Sequence, residues 1–193
     1  EGASIVIWTT TPWTIPGNRA VAYGDDLEYV LEEIVEVEAD SKALKGDRIV
    51  LAEDRLLAFR EAAGVRSTRN VGKINGKKFA GTVCHHPLHG KGYDFDVPLL
   101  AGDFVSADEG TGFVHVAPSH GADDFLLGQA HGLEVPSTVD EDGCFYDHVP
   151  LFAGAAVQAG SGNVGDANEA VISALDKAAA LFAQRKLRHS YPH

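Results

Sequence analysis

Methionine is missing from all 193 residues, and cysteine appears only twice. A chain that begins Glu1-Gly2-Ala3 and holds no Met is expected to be a segment cut from a longer protein. Two cysteines in this length make no disulfide framework, which points to a reducing compartment and hence to the cytoplasm. No apolar run approaches the ~18–20 residues needed to cross a bilayer, and no signal peptide is visible, so no membrane partner is expected. Cations are also scarce. Lys and Arg number 16 against 28 Asp and Glu, for a formal charge of −12. General electrostatic binding of DNA or RNA needs Lys and Arg against phosphates, so that class is excluded. Any RNA must be gripped locally or delivered by other parts of a larger protein.

The chain does hold enough for a core, with 45% hydrophobic residues in a length that suits one domain over residues 1–193. Ile5-Val6-Ile7-Trp8 reads as a short buried strand, ended by Thr9-Thr10-Thr11 and Pro12. Thr14-Ile15-Pro16-Gly17-Asn18 reads as a loop, and residues 19–23 resume an extended pattern. Residues 29–37 alternate as a strand, with Glu28, Glu32, Glu33, Glu36 and Glu38 on its solvated side. Residues 52–63 carry helical spacing, with Leu56, Leu57 and Phe59 on one side and Gly64 as a stop. Ile74-Asn75-Gly76-Lys77 is expected to be a hairpin turn. Residues 79–105 alternate short β-rich pieces with Gly and Pro. Residues 120–131 predict a short helix, and residues 164–188 the longest one, with Val171, Ile172, Leu175, Ala178, Ala179 and Phe182 on its apolar side. Gly160-Ser161-Gly162 reads as a flexible turn. The expected class is α+β, a β-barrel-like mixed-sheet core with a few flanking helices.

Two segments stand out chemically. In Trp8-Thr9-Thr10-Thr11-Pro12-Trp13-Thr14 three consecutive hydroxyls follow an apolar strand and offer donors and acceptors on both sides of the backbone. Thr also simply favours strands. In the second segment, Gly110-Thr111-Gly112 leads into a strand, Phe113-Val114-His115-Val116, and Pro118 ends it. His120-Gly121 then opens a helix whose first turn holds Asp123 and Asp124. Taken singly, His115 is a core histidine and the aspartates are helix caps favoured by the dipole. Together they place a strand-borne His and a carboxylate beside Gly-rich turns that let a ligand approach. Cys84, His85, His86 and His89 cluster in sequence, but in none of the usual zinc spacings, and are expected to be a solvated loop. No metal site is expected. Arg66, Arg69, Lys73, Lys77 and Lys78 form a basic stretch whose simplest role is to balance neighbouring carboxylates. The sequence has no triphosphate-binding loop and no serine-hydrolase elbow.

The two segments together, Trp8 to Pro16 with Asn18-Arg19-Ala20, and Gly110 to Phe125, resemble the inserted editing domain of the isoleucyl-tRNA synthetases. The resemblance runs nearly end to end. His189-Ser190-Tyr191-Pro192-His193 is similar to the point where that enzyme's chain re-enters its catalytic domain. The related valyl and leucyl insertions share the Gly-Thr-Gly frame but usually lack the His at 115 and the Gly at 121. Gly17, where Ala is common, and the Gly/Ala-rich stretch 153–165 depart from the usual pattern.

The resemblance implies hydrolysis of the ester in valyl-tRNA(Ile), with valyl-adenylate as a further candidate substrate. A pocket gains only ~1–3 kcal/mol from one methylene, a limit for which the isoleucine enzyme is itself the usual illustration, so a second hydrolytic sieve is needed. By resemblance, Asp124 accepts the α-ammonium, and Thr11 and His115 form a floor that admits valine and clashes with isoleucine. Thr9, Thr10 and Asn18 hold the terminal ribose and position water or the oxyanion, and Trp8 walls the pocket. Catalytic parts are thus expected at Thr9, Thr10, Asn18 and Asp124. No cofactor is expected here, ATP belonging to the parent's catalytic domain. The implied partners are the 3′ end of tRNA(Ile) and the rest of the parent synthetase. The alternatives are a valyl or leucyl editing domain, or a non-catalytic insertion that binds a tRNA 3′ end.

Overall fold

Eight strands form two mixed four-stranded sheets in the computed structural model, which describes residues 2–158 and 165–185. In the first sheet, β1 (Ser4–Ile5) runs parallel to β4 (Arg48–Ala52). β4 pairs antiparallel with β3 (Glu28–Val37), which pairs antiparallel with β5 (Val65–Asn75). In the second, β6 (Val83–His85) is antiparallel to β7 (Asp96–Ala101). β7 is parallel to β2 (Ala20–Tyr23), which is antiparallel to β8 (Phe113–Val116). Among the described residues the sheets do not close into a barrel. The mixed α+β class expected from the sequence is what is found.

Strand alternation explains how the layers stack. Val50 and Ala52 on β4, with Tyr29 on β3, meet Val21, Tyr23, Leu99 and Phe113 of the second sheet in a shared core. The intervening residues Val30, Ile49 and Leu51 face the other way, onto Phe59 and Ala63 of α1 (Leu56–Ala63). β2 is buried on both faces, because Ala20 and Ala22 pack with Val105 and Val116 beneath α2 (Ala122–Ala130). α3 (Ala167–Lys177) buries Val171 and Leu175 against Ile15, Phe145 and Phe152.

Several sequence expectations need correction. The first strand is two residues long; Val6 still donates its N–H to the Val50 carbonyl (3.2 Å), but Trp8 is 48% exposed. Residues expected as a loop form a 3-10 helix, Pro12–Gly17. Pro12 sits in the first turn, where its missing N–H costs nothing. The expected hairpin turn is another 3-10 turn, Gly76–Phe79, because β5 pairs with β3 and not with β6. Glu32 is buried, because strand alternation puts it on the same face as Val30 and Ile34, and its Oε1 accepts from Asn70 Nδ2 at 2.7 Å. Leu57 is exposed while Phe59 is covered.

The long helix stops at Lys177 rather than continuing to 188. Ala179 takes a positive φ of 54°, and the chain then carries Phe182 edge-on to Phe59, 5.5 Å between centroids, in a different core from Val171. The expected Gly160-Ser161-Gly162 turn, the outer ends of that helix and residues 189–193 lie outside the described residues.

Candidate functional site

The strand that leads into the Thr-rich segment is tied to the Gly-Thr-Gly turn through the Thr111 side chain. Thr111 is buried, and its hydroxyl donates to the Val6 carbonyl at 2.6 Å. Its own carbonyl accepts from the Ala52 N–H at 2.8 Å. The Gly112 carbonyl accepts from the Tyr29 hydroxyl at 2.7 Å. Gly112 has a φ of 79°, and a Cβ there would stand 2.4 Å from the Ala52 Cβ. Arg55 holds the loop just before, donating from Nε to the Gly110 carbonyl (3.0 Å) and from Nη1 to that of Asp108 (3.1 Å). These ties place Trp8, Thr9 and Thr10 across from β8.

Between them lies a cleft of about 600 Å³, lined by Trp8, Thr9, Thr10, His115 and Asp124 among others. Five of the residues singled out in the sequence therefore come together, from positions more than a hundred residues apart. Phe104 and the carboxylate-bearing Asp108 and Glu109 line it too, and among the described residues no Lys or Arg does. Thr11 and Asn18 are not among the lining residues. Thr11 donates its N–H to Thr9 Oγ1 (3.0 Å), orienting that hydroxyl. Asn18 is buried behind β8, where its Oδ1 accepts from the Val116 N–H (3.2 Å).

His115 has a defined tautomer. The Thr14 hydroxyl donates to the Thr11 carbonyl (2.9 Å), so it meets the His115 ring, 3.1 Å from Nε2, as an acceptor. Nε2 thus carries the proton and Nδ1 the lone pair. Nδ1 is buried and makes no hydrogen bond to another described residue. Burial, aided by the neighbouring His120 and His86, pushes the ring's pKa down to about 4, so it is neutral at pH 7.

Asp124 folds back over the start of α2, and its Oδ2 accepts from the Ala117 N–H at 2.9 Å. Gly121 leaves room for it, since a Cβ there would meet the carboxyl carbon at 3.0 Å. Burial raises the Asp124 pKa, with Asp123 adding to the rise and the Ala117 N–H opposing it. An ionised carboxylate here is under-solvated and favours a cationic ligand.

His86 and several of the cations have structural roles. His86, expected in a solvated loop, is 2% exposed; Nδ1 accepts from the Leu88 N–H (3.1 Å), and Nε2 donates to the Ile15 carbonyl (3.0 Å). No group of three potential metal ligands occurs among the described residues. Arg69 pairs with Glu33, Lys73 with Glu53 and Lys77 with Asp26, so these members of the basic stretch do balance carboxylates. Sequence reasoning missed Thr14, Arg55 and Phe104. Thr14 alone carried a signal, standing in the same Thr-rich run.

No family model matches the chain. The isoleucine–tRNA ligase of Gluconobacter oxydans is 47% identical over 197 residues, a match that takes in the whole of this chain and 20% of the ligase. That of Bradyrhizobium diazoefficiens is 45% identical over 202 residues, covering 99% of the chain and again 20% of the ligase. The chain belongs to the isoleucine–tRNA ligase family. It spans about a fifth of the length of these relatives. Among solved structures, the editing domain of the P. falciparum cytosolic leucyl-tRNA synthetase is similar with a TM-score of 0.52, covering 88% of this chain and 60% of that one. At 12% identity that likeness is one of fold, the fold of a synthetase editing domain.

Proposed function

We propose that the chain hydrolyses the ester of valine misattached to isoleucine tRNA and excludes isoleucine by size. The observation that carries this reading is the convergence of Thr9, Thr10, His115 and Asp124 in one acidic cleft. A half-buried, raised-pKa carboxylate suits the α-ammonium of an aminoacyl group, and it rejects esters that lack one. The Thr9 and Thr10 hydroxyls hold the terminal ribose and the water that attacks the carbonyl carbon. The ester C–O bond breaks, and the released ribose oxygen takes a proton. His115, neutral with a pKa of about 4, is too weak a base to activate that water effectively. Its ring instead supplies bulk and one acceptor nitrogen. Thr11 and Asn18 act by positioning, the first through Thr9 and the second through the end of β8. The chain needs no cofactor for this step, and the tRNA body is carried by the rest of a parent synthetase.

Deacylation of valyl-tRNA(Ile) tests the proposal. The wild-type chain is expected to release valine, and Asp124→Ala to lose at least a hundredfold in rate, about 3 kcal/mol of transition-state contact. Unchanged hydrolysis in the variant removes the ammonium role, and no hydrolysis by either protein removes the reading itself.

A further inference from the structure

The 3-10 helix Pro12–Gly17 contains two prolines, so its backbone has few donors with which to hold its own shape. Thr14 donates its N–H to the Thr11 carbonyl (3.0 Å) and closes the first turn. The Trp13 N–H has no acceptor inside the helix, as is usual for a first-turn donor. A threonine at the N-cap commonly takes up such a group through its hydroxyl. Thr11 occupies the N-cap and makes no bond of that kind. Its hydroxyl stands instead 3.4 Å from that of Thr9, which lines the cleft. The Trp13 N–H goes to Asn168 Oδ1 at 3.0 Å, across 155 positions of sequence.

Asn168 lies in the first turn of α3, and the core fixes that helix. Ala167, Val171 and Leu175 share one apolar cluster with Ile15 of the 3-10 helix. Apolar contact draws the two helices together but carries no direction. The hydrogen bond to Trp13 adds one, at the residue directly before Thr14. His86 and Arg19 hold the other end of the 3-10 helix, by donating to the Ile15 carbonyl (3.0 Å) and the Pro16 carbonyl (3.3 Å). Asn168 therefore orients the end that continues from Thr9 and Thr10. Thr14 in that turn meets His115 Nε2 at 3.1 Å.

We propose that Asn168 is a positioning residue for the cleft, receiving the Trp13 N–H so that Thr14 holds the His115 ring and the Thr11 hydroxyl stays with Thr9. The proposal rests on the hydrolytic reading for one of its two readouts, and the other is independent of it. Nitrogen NMR of the His115 ring reads the tautomer directly. The wild type is expected to carry the proton on Nε2, and Asn168→Ala to show a second population with the proton on Nδ1. Alanine keeps α3 helical, so the substitution removes the acceptor and spares the element. The second readout is the ratio of valyl-tRNA to isoleucyl-tRNA hydrolysis, which does not depend on the fraction of folded protein. Asn168→Ala should lower that ratio about tenfold, the order of one hydrogen bond. Asn168→Asp keeps an oxygen acceptor, suits the first turn of a helix and should restore both readouts. An unchanged tautomer, two hydrolysis rates that fall in proportion, or no rescue by Asn168→Asp overturns the positioning role. A tautomer that responds as expected in a chain that does not hydrolyse valyl-tRNA overturns the hydrolytic reading alone.

Discussion

His115 shows how much one residue's role depends on its neighbours. A strand-borne histidine beside a cleft invites assignment as a general base, yet Thr14 fixes the proton on Nε2 and burial holds the ring neutral down to about pH 4. What remains is a rigid, uncharged wall. Removing it should change which amino acid fits more than how fast water attacks. His115→Ala is therefore expected to retain valyl-tRNA hydrolysis within about tenfold and to begin hydrolysing isoleucyl-tRNA, since a pocket distinguishes one methylene by only ~1–3 kcal/mol and a clash must supply the rest. If isoleucyl-tRNA stays fully protected in that variant, the size gate lies elsewhere. Asp124 is the opposite case. Its burial is a cost in the free protein, and a bound ammonium would repay it.

At the scale of elements, the site hangs on two pieces of irregular backbone, the 3-10 helix Pro12–Gly17 and the Gly110-Thr111-Gly112 turn. The turn tolerates no side chain at Gly112. Gly112→Ala adds a strained positive φ to a 2.4 Å clash with Ala52, and about 2–6 kcal/mol of destabilisation is expected from the sum of the two effects. Urea unfolding measures it, and a loss under 1 kcal/mol would show that the turn relaxes. The strands Phe113–Val116 and Ala20–Tyr23 and the helix Ala122–Ala130 were legible in the sequence, because their periodicity and stop residues are local. So were the cleft residues Thr9, Thr10, His115 and Asp124, each standing beside a turn signal. The 3-10 helix was not, because two prolines and a glycine argue against an α-helix without identifying what replaces it. The end of α3 was not either. The apolar spacing continues past Lys177, yet Ala179 takes a positive φ and the chain turns to carry Phe182 onto Phe59. Glu32 was misplaced because its charge was weighed over its position: alternation sets it on the buried face with Val30 and Ile34, where Asn70 satisfies its carboxylate.

Over the whole molecule, acid should act on the site before it acts on the sheets. His86 and His115 are both neutral donors to the 3-10 helix, one to the Ile15 carbonyl and the other to Thr14 Oγ1, and both have pKa values pushed down to about 4 by burial. In the unfolded chain they titrate near 6.5, so between pH 6.5 and 4 the unfolded state binds more protons. The stability these rings contribute is therefore whole above 6.5 and is lost progressively toward 4. His120, also lowered by burial, adds in the same direction. Asp124, whose pKa is raised, runs the other way, because acidification relieves its desolvation cost. The two strongly shifted histidines outweigh it, and unfolding free energy is expected to fall by roughly 2–4 kcal/mol between pH 7 and pH 5. His86→Gln keeps an N–H donor without the titration, and it should flatten about half of that slope in urea unfolding. Tryptophan fluorescence follows the local step, because Trp13 stands in the 3-10 helix and packs edge-on against His120, with 4.8 Å between ring centroids. A Trp signal that moves only with global unfolding would mean that the helix and the sheets respond to acid as one unit.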